Sequence, residues 1–350
     1  MARLIFIFAL SGSASCGILH DAAHDGDKEY LDESLTAGHD IHEESVVGAT
    51  PPSAPPPNMR PGLVPPSGGW RGSTLGWLDG PQQYVQQYGH QLHLWRTFKD
   101  PENLAITDDQ KAFVDGGGIL WYNMQPTNWS EAGSPSFAPT IASYAKAVKS
   151  LAPAKVIVNA GHEPDGHCDP SDGKYFGTPG EYRAMWAQFR AGFAAAGADN
   201  AVWAVDFSRG IRKKATFDRW VAALWPGDDA VDWLFFNAFG DHPMADKQGR
   251  GNWTTIVDSI YTQLEQNAAD GNNYTAVPWG IGAFQPKPPP LMDEQDRSEF
   301  ILQAATALNA SRFPRLRGMV YYDHDESGMS ASFRPVYRQY LSSPFFAVNG

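Results

Sequence analysis

The chain has 350 residues, 42% of them hydrophobic and 13% aromatic, which is enough for a large buried core in one large domain or two smaller ones. Its formal net charge is -12 at pH 7, but residues 21–44 hold nine acidic residues against one Lys and account for -8 of it. The rest of the chain carries too little charge to specify a partner, and no basic stripe or RNA-binding motif occurs. Composition therefore gives no case for a nucleic-acid partner.

The first 16 residues, MARLIFIFALSGSASC, have the pattern of a secretory signal. Arg3 precedes a short apolar run, and small residues precede Cys16. The pattern predicts export, with the protein secreted or at the cell surface, and Cys16 is a possible site for a lipid anchor. No other stretch approaches the roughly 20 apolar residues that a membrane span requires.

Residues 17–69 are acidic at first and then rich in Pro, as in ATPPSAPPPNMRPGLVPPSGG. Such a composition cannot bury enough apolar surface to fold, so it predicts a disordered linker. From residue 70 to residue 350 the sequence changes to short apolar runs that alternate with amphipathic segments, which predicts a folded domain.

Eight apolar runs are candidate strands: residues 73–78, 92–98, 117–124, 155–163, 201–207, 232–239, 278–284 and 318–325. Helical patterns separate them, and residues 178–197 show the end signals most clearly. Thr178 and Glu181 form a predicted capping box, Pro179 occupies the first turn, and Gly197 ends the helix.

This alternation predicts a (β/α)8 TIM barrel, whose usual size is about 250 residues. A doubly wound open sheet is the alternative, but no Gly-rich phosphate loop follows any candidate strand. In a TIM barrel the carboxyl ends of the strands form the active site, so polar residues at those ends are candidates for chemistry. They include Asp241, His242, His324 and Asp325 as well as the residues discussed below.

Carboxylates at the strand ends suit the cleavage of a glycosidic bond, which needs one acid to protonate the leaving oxygen and a second group to attack or to activate water. Glu163, which ends an apolar strand, is the predicted proton donor. Asp206 and Asp323 are the predicted partners, as base or nucleophile, although either could instead cap the following turn or form an ion pair with Arg209 or Arg334. Inversion is expected if two carboxyls stand roughly 6.5–9.5 Å apart.

Aromatic and polar side chains near the strand ends predict a binding site for a polysaccharide or oligosaccharide, because flat rings pack against the C–H faces of sugars. The predicted substrate-binding residues are His162, Arg96, Trp95, Tyr122, Asn123, Asn237, Trp279 and Tyr322. We expect no cofactor. We also expect no metal site, because the spacing of His162, Glu163, His167, Cys168 and Asp169 matches neither the HExxH helix nor a paired Cys motif.

Two segments resemble glycoside hydrolase family 26, which contains β-mannanases, some β-1,3-xylanases and mixed-linkage glucanases. They are NAGHEPDG and TPGEYRAMWAQFRAGFAAAGADNAVWAVD, with weaker similarity in VDWLFFNAFG and FPRLRGMVYYDHD. The resemblance implies a barrel in which Glu163 is the acid/base and His162 is its characteristic neighbour.

The resemblance also implies a nucleophilic Glu on the seventh strand, where this chain has Gly282-Ala283-Phe284-Gln285, which places Ala283 at the nucleophile position. Three functions remain open. The first is a glycoside hydrolase on a mannan-, glucan- or xylan-like chain, with its second catalytic group relocated. The second is a glycan-binding barrel that has lost its nucleophile. The third is a polysaccharide lyase, in which Arg96, Asn237, Tyr322 and His162 neutralise a uronate.

Overall fold

The computed structural model describes residues 63–65, 67–172, 174–208, 214–240, 252–267, 274–286, 292–323 and 329–347. The signal-like segment, Cys16 and nearly all of the predicted linker therefore lie outside the described residues, as do Asp241, His242, His324 and Asp325. The described residues contain no helix that is long and apolar enough to cross a membrane.

Eight parallel strands close into a barrel in chain order, which confirms the predicted TIM barrel. The strands are β1 (Trp70–Ser73), β2 (Leu94–Lys99), β3 (Ile119–Met124), β4 (Val156–Ala160), β5 (Ala201–Phe207), β6 (Trp233–Gly240), β7 (Trp279–Pro286) and β8 (Leu316–Tyr321). The prediction for the first strand, residues 73–78, was wrong. β1 ends at Ser73, because its register with β8 begins at Trp70, and the following residues turn toward the first helix.

Helices follow the strands and surround the barrel. Within the described ranges they are α1 (Pro81–Tyr88), α2 (Asp108–Asp115), α3 (Trp129–Ala132), α4 (Ala138–Lys149), α5 (Pro179–Ala196), α6 (Lys214–Phe217), α7 (Trp253–Asn267), α8 (Glu294–Asn309) and α9 (Phe333–Leu341). The predicted end signals of α5 are confirmed. Thr178 and Glu181 form the capping box, and Gly197 adopts a left-handed conformation with φ 66°.

The barrel interior is filled by side chains from alternate strand positions. Trp233 stacks between Trp70 and Phe235, with ring centroids 5.1 Å from each, and Trp121 lies 4.2 Å from Phe235. Leu63 and Val64 pack against this cluster, and the Trp233 indole donates to the Leu63 carbonyl at 2.8 Å. The folded part therefore begins before residue 70, the predicted domain boundary. A second and larger apolar layer lies between the strands and the helices.

Candidate active site

The carboxyl end of the barrel carries a polar layer above the aromatic interior. Strand side chains alternate between inside and outside, so the residues two positions beyond an interior residue also point inward. Leu94 and Trp121 belong to the interior cluster, which places Arg96 and Asn123 directly above them. Asp206 and Asn237 follow interior residues of β5 and β6 in the same way. The sequence-predicted polar residues of these four strands therefore converge.

Glu163 reaches the mouth of the barrel through an unusual backbone turn. β4 ends at Ala160, and Glu163 has φ 48° and ψ 55°, a left-handed conformation that costs a non-glycine residue roughly 1–2 kcal/mol. Pro164 then begins a short 3-10 turn. Strained backbone of this kind persists where the surrounding structure holds it, and it is concentrated at functional sites.

The Glu163 carboxylate is held from two sides and remains 18% exposed. The side-chain amide of Asn237, on β6, donates a hydrogen bond to one carboxylate oxygen. His162 Nε2 lies 3.6 Å from the other oxygen. The carboxylate is thus oriented by neighbouring strands and stays accessible to a molecule in the mouth, which is what a proton donor requires.

Arg96 and Asp206 form an ion pair beneath Glu163, and both side chains are completely buried. Arg96 also donates to the Gly282 carbonyl of β7 at 2.5 Å, and its guanidinium lies 4.2 Å from the centroid of the Trp121 ring. This single side chain on β2 therefore links β3, β5 and β7 across the barrel.

His162 rests on this ion pair. Its Nδ1 lies 2.8 Å from Arg96 Nη2 and 3.0 Å from Asp206 Oδ2, so the ring is fixed with Nε2 toward Glu163. Burial would raise the pKa of Asp206, but the charge of Arg96 and the hydrogen bond with His162 outweigh it and hold that pKa below its usual value. Asp206 is therefore a stable anion that positions Arg96 and His162.

Asp323 contacts residues in the connection between β1 and α1. It is almost completely buried after β8, accepts a hydrogen bond from the Trp77 indole, and donates its backbone N–H to the Thr74 hydroxyl at 2.9 Å. These contacts join β8 to the connection between β1 and α1. A catalytic role for Asp206 or Asp323 stays a prediction, and the contacts described here are those of structural groups. The partner of Asp206 is Arg96, which differs from both predicted arginines.

Strand β7 has no carboxylate at its mouth. A β-bulge shifts the register between β6 and β7, so that Ala283 pairs with Asn237. Gly282 lies against Asp206, and a Cβ there would collide with Asp206 Oδ1 and come within 3.1 Å of Trp121. The missing side chain at residue 282 thus leaves room for the buried ion pair, and residue 283 lies beside the amide that holds Glu163.

Three aromatic residues predicted to bind substrate lie outside the barrel mouth. Trp95 packs edge-on against Phe113 of α2, and the Tyr122 hydroxyl donates to the Leu104 carbonyl at 2.7 Å. Trp279 contacts Tyr261 of α7 at a centroid distance of 5.7 Å. All three face the helix layer, so the structure does not bring them to Glu163.

Of the other predicted residues, Asn123 and Tyr322 are at the mouth. Asn123 is completely buried and donates to the Thr97 carbonyl at 3.1 Å. Tyr322 is half-buried, with its ring edge-on to Phe239 of β6 at 5.6 Å. Sequence reasoning missed Phe98, whose ring is 43% exposed and lies 5.2 Å from His162. Phe98 lies two residues after Arg96 on β2, so the two side chains face the same way. That spacing was the signal in the sequence that could have identified Phe98.

The side chains that follow Glu163 turn to separate partners. Asp165 is buried and accepts from the backbone N–H of Ser208 at 2.9 Å, which joins the connections after β4 and β5. Cys168 Sγ faces the Asp165 carbonyl at 3.9 Å, and Asp169 pairs with Arg219 at 2.5 Å. In the part of the chain that the structure describes, His, Cys, Asp and Glu form no group of three or more that could bind a metal ion.

The barrel is similar to solved structures of glycoside hydrolase family 26 mannanases. The catalytic domain of a Bacillus sp. JAMB-750 endo-β-1,4-mannanase is 12% identical, covers 81% of this chain and 89% of its own, and has a TM-score of 0.60. A double mutant of a Cellulomonas fimi endo-β-1,4-mannanase is 15% identical, with 79% and 71% coverage and a TM-score of 0.59. A Bacteroides ovatus β-mannanase is 11% identical, with 79% and 89% coverage and a TM-score of 0.53.

These likenesses show that the chain has the fold of family 26 β-mannanases. At identities of 11–15% they show the fold alone. No protein-family model matches the chain, and no curated protein matches it.

Proposed function

We propose that the chain is a glycoside hydrolase that acts on a β-linked mannan-, glucan- or xylan-like glycan, with Glu163 as the proton donor. The observation that carries the proposal is the Glu163 carboxylate itself. It is accessible at the mouth, held by Asn237 and beside His162, on a fold shared with β-1,4-mannanases. Glu163 gives its proton to the glycosidic oxygen as the bond from that oxygen to C1 breaks. Water forms the new bond to C1 as a hydroxyl, and the proton that this water loses replaces the one that Glu163 gave.

The predicted export supports this proposal, because a polysaccharide too large to enter a cell is degraded outside it. The signal-like residues 1–16 would direct the chain to the cell surface or the medium. A fusion of these residues to a reporter protein would test it. Recovery in the medium or on the membrane distinguishes secretion from a lipid anchor at Cys16, and retention inside the cell would contradict export.

A second candidate function, a glycan-binding barrel without turnover, is favoured by one observation. Ala283 occupies the position beside Asn237 where β7 would present a nucleophile. Asp206 and Asp323 are both buried against structural partners, so among the described residues neither of the two predicted carboxylates is accessible beside Glu163. A barrel of this kind would retain a glycan and release no products.

The burial and pairing of Arg96 argue against the polysaccharide lyase alternative. A lyase needs groups that neutralise the uronate carboxylate, and Arg96 was the permanent cation among the four predicted residues. In the structure its guanidinium is completely buried and already neutralised by Asp206, below His162. A uronate in the mouth would have no direct access to it.

The test is incubation of the full chain with mannan, β-glucan, xylan and polygalacturonate, followed by mass analysis of the products. Glu163→Gln removes the acidic proton with little change in shape, and Glu299→Gln is the matched control on the exposed face of α8. Hydrolysis products that vanish only in Glu163→Gln support the hydrolase. Retention of one polymer by all three proteins without products would establish the binding barrel instead.

A further inference from the structure

The described residues expose two large hydrophobic side chains strongly, and both lie at the carboxyl end of the barrel. Phe98, near the end of β2, is 43% exposed, and Tyr175, in the connection between β4 and α5, is 44% exposed. Glu163 lies at the start of that same connection. Nearly every other large apolar side chain of the described ranges is buried or half-buried, so the position of these two calls for an explanation.

The Phe98 ring is fixed in place before any ligand arrives. The Arg96 guanidinium covers it at 5.2 Å from the centroid, and the His162 ring meets it edge-on at 5.2 Å. Arg96 and His162 are themselves fixed by Asp206. A ring held on one side by a buried ion pair and open on the other loses little conformational freedom on binding, which favours affinity.

Tyr175 is also carried by an anchored segment. Its neighbour Phe176 stacks on His167 at 4.0 Å and donates its backbone N–H to the His167 carbonyl at 2.8 Å. The Phe176 carbonyl accepts from the backbone N–H of buried Trp129 at 2.9 Å. Because Phe176 turns toward the protein, Tyr175 is presented to solvent at the rim.

We propose that Phe98 and Tyr175 form an aromatic platform that carries a neutral β-linked glycan across the β2–β4 side of the mouth to Glu163. Pyranose rings with mostly equatorial hydroxyls expose a flat C–H face that packs on aromatic rings. The platform favours a neutral chain, because the cation beneath Phe98 is already neutralised by Asp206. Residues 174–178 contain one charged residue, Lys174, which is exposed beside Tyr175. The proposal rests on the proposed function for the direction of the chain toward Glu163.

Calorimetric titration of the full chain tests the platform, with mannohexaose, cellohexaose and tri-galacturonate as probes. Glu163→Gln serves as the background that prevents turnover. In that background Phe98→Ala should weaken binding of the best neutral hexasaccharide roughly tenfold, and Phe98→Trp should restore it. Tyr175→Ala should weaken it by a similar or smaller factor. Tyr261→Ala removes a half-buried ring from the outer helix α7 and should leave affinity unchanged.

The outcomes separate this proposal from the proposed function. Equal affinities of Phe98→Ala and its parent would overturn the platform, as would a preference for the galacturonate or no binding of any probe. Thermal unfolding of each variant shows whether a loss of affinity reflects a loss of folding. If the platform variants lose affinity while the wild-type chain releases no products, the result supports glycan binding by Phe98 and Tyr175 and contradicts the proposed hydrolase activity. In an active wild-type background, Phe98→Ala should raise KM by a larger factor than it lowers kcat.

Discussion

Arg96 on β2 and Asp206 on β5 form an ion pair in which neither side chain reaches solvent, directly below the histidine that borders Glu163. A buried charge without its partner costs about 3–5 kcal/mol. This pair therefore ties the stability of the barrel to the geometry of its mouth.

Asp206→Asn should lower the free energy of unfolding by about 3–5 kcal/mol, because Arg96 would remain buried without a counter-charge. Urea unfolding monitored by tryptophan fluorescence measures the change. Asp258→Asn is the matched control, since Asp258 pairs with Arg312 on the surface with 37% and 52% of the two side chains exposed. That substitution should cost less than about 1 kcal/mol. Equal small losses in the two variants would show that the buried pair contributes no more than a surface pair.

Residue 283 is the position at which the resemblance to family 26 implies a nucleophile on β7. A 2-deoxy-2-fluoro glycoside with an activated leaving group traps such an intermediate as a mass increase of the intact protein. The wild-type chain should show no adduct at residue 283, because Ala has no nucleophile. Ala283→Glu places a carboxylate beside Asn237 and should give one adduct on the peptide that contains residue 283. Ala283→Gln controls for the added volume, and an adduct in that variant would contradict the assignment.

Asn237 should matter for turnover more than for folding. Its amide donates to the Glu163 carboxylate, and hydrogen bonds to charged groups contribute roughly 1.5–3 kcal/mol. Asn237→Ala should therefore reduce kcat/KM about 10- to 100-fold through loss of the fixed orientation of Glu163. Steady-state kinetics on the active polymer measures the effect, with the melting temperature as the check on folding. Unchanged kcat/KM would mean that Glu163 needs no support from β6.

His93 should make the barrel less stable in mild acid. Burial, with a smaller effect of Arg71, lowers the pKa of His93 to about 4 from the ordinary value of about 6.5. The unfolded chain then binds more protons than the folded chain between these two values, so stability is lost as pH falls from about 6.5 toward 4. His93→Gln should lose less stability than wild type between pH 7 and pH 4.5 in urea unfolding. Parallel losses would exclude His93 as the source.

The strand order, the ends of α5 and the placement of Glu163 at the carboxyl end of β4 could be predicted from the sequence, because they depend on local patterns. The predicted end of β4 itself was wrong by three residues, since the strand stops at Ala160 and not at Glu163. Apolar runs, a capping box and a Gly at a helix end act within a few residues. Whether each strand side chain points into the barrel or toward the helices was harder to predict from the sequence. Strands of a parallel barrel are buried on both faces, so apolar residues occupy inward and outward positions alike.

The alternation of side-chain direction along a strand resolves part of this ambiguity. Trp95 and Arg96 are adjacent on β2 and cannot both face the mouth, and the same holds for Tyr122 and Asn123 on β3. Placing Arg96 and Asn123 inside would have removed Trp95 and Tyr122 and indicated Phe98 instead. The pairing of Asp206 with Arg96 depends on a contact 110 residues apart in sequence, which no local pattern predicts.

The most direct test of Glu163 as proton donor compares two substrates that differ in their leaving groups. A sugar needs protonation to leave, whereas 2,4-dinitrophenolate does not. Glu163→Ala should slow hydrolysis of the oligosaccharide at least about 100-fold and slow hydrolysis of the matching 2,4-dinitrophenyl β-glycoside far less. Equal losses on the two substrates, or no loss on the oligosaccharide, would contradict the assignment of Glu163.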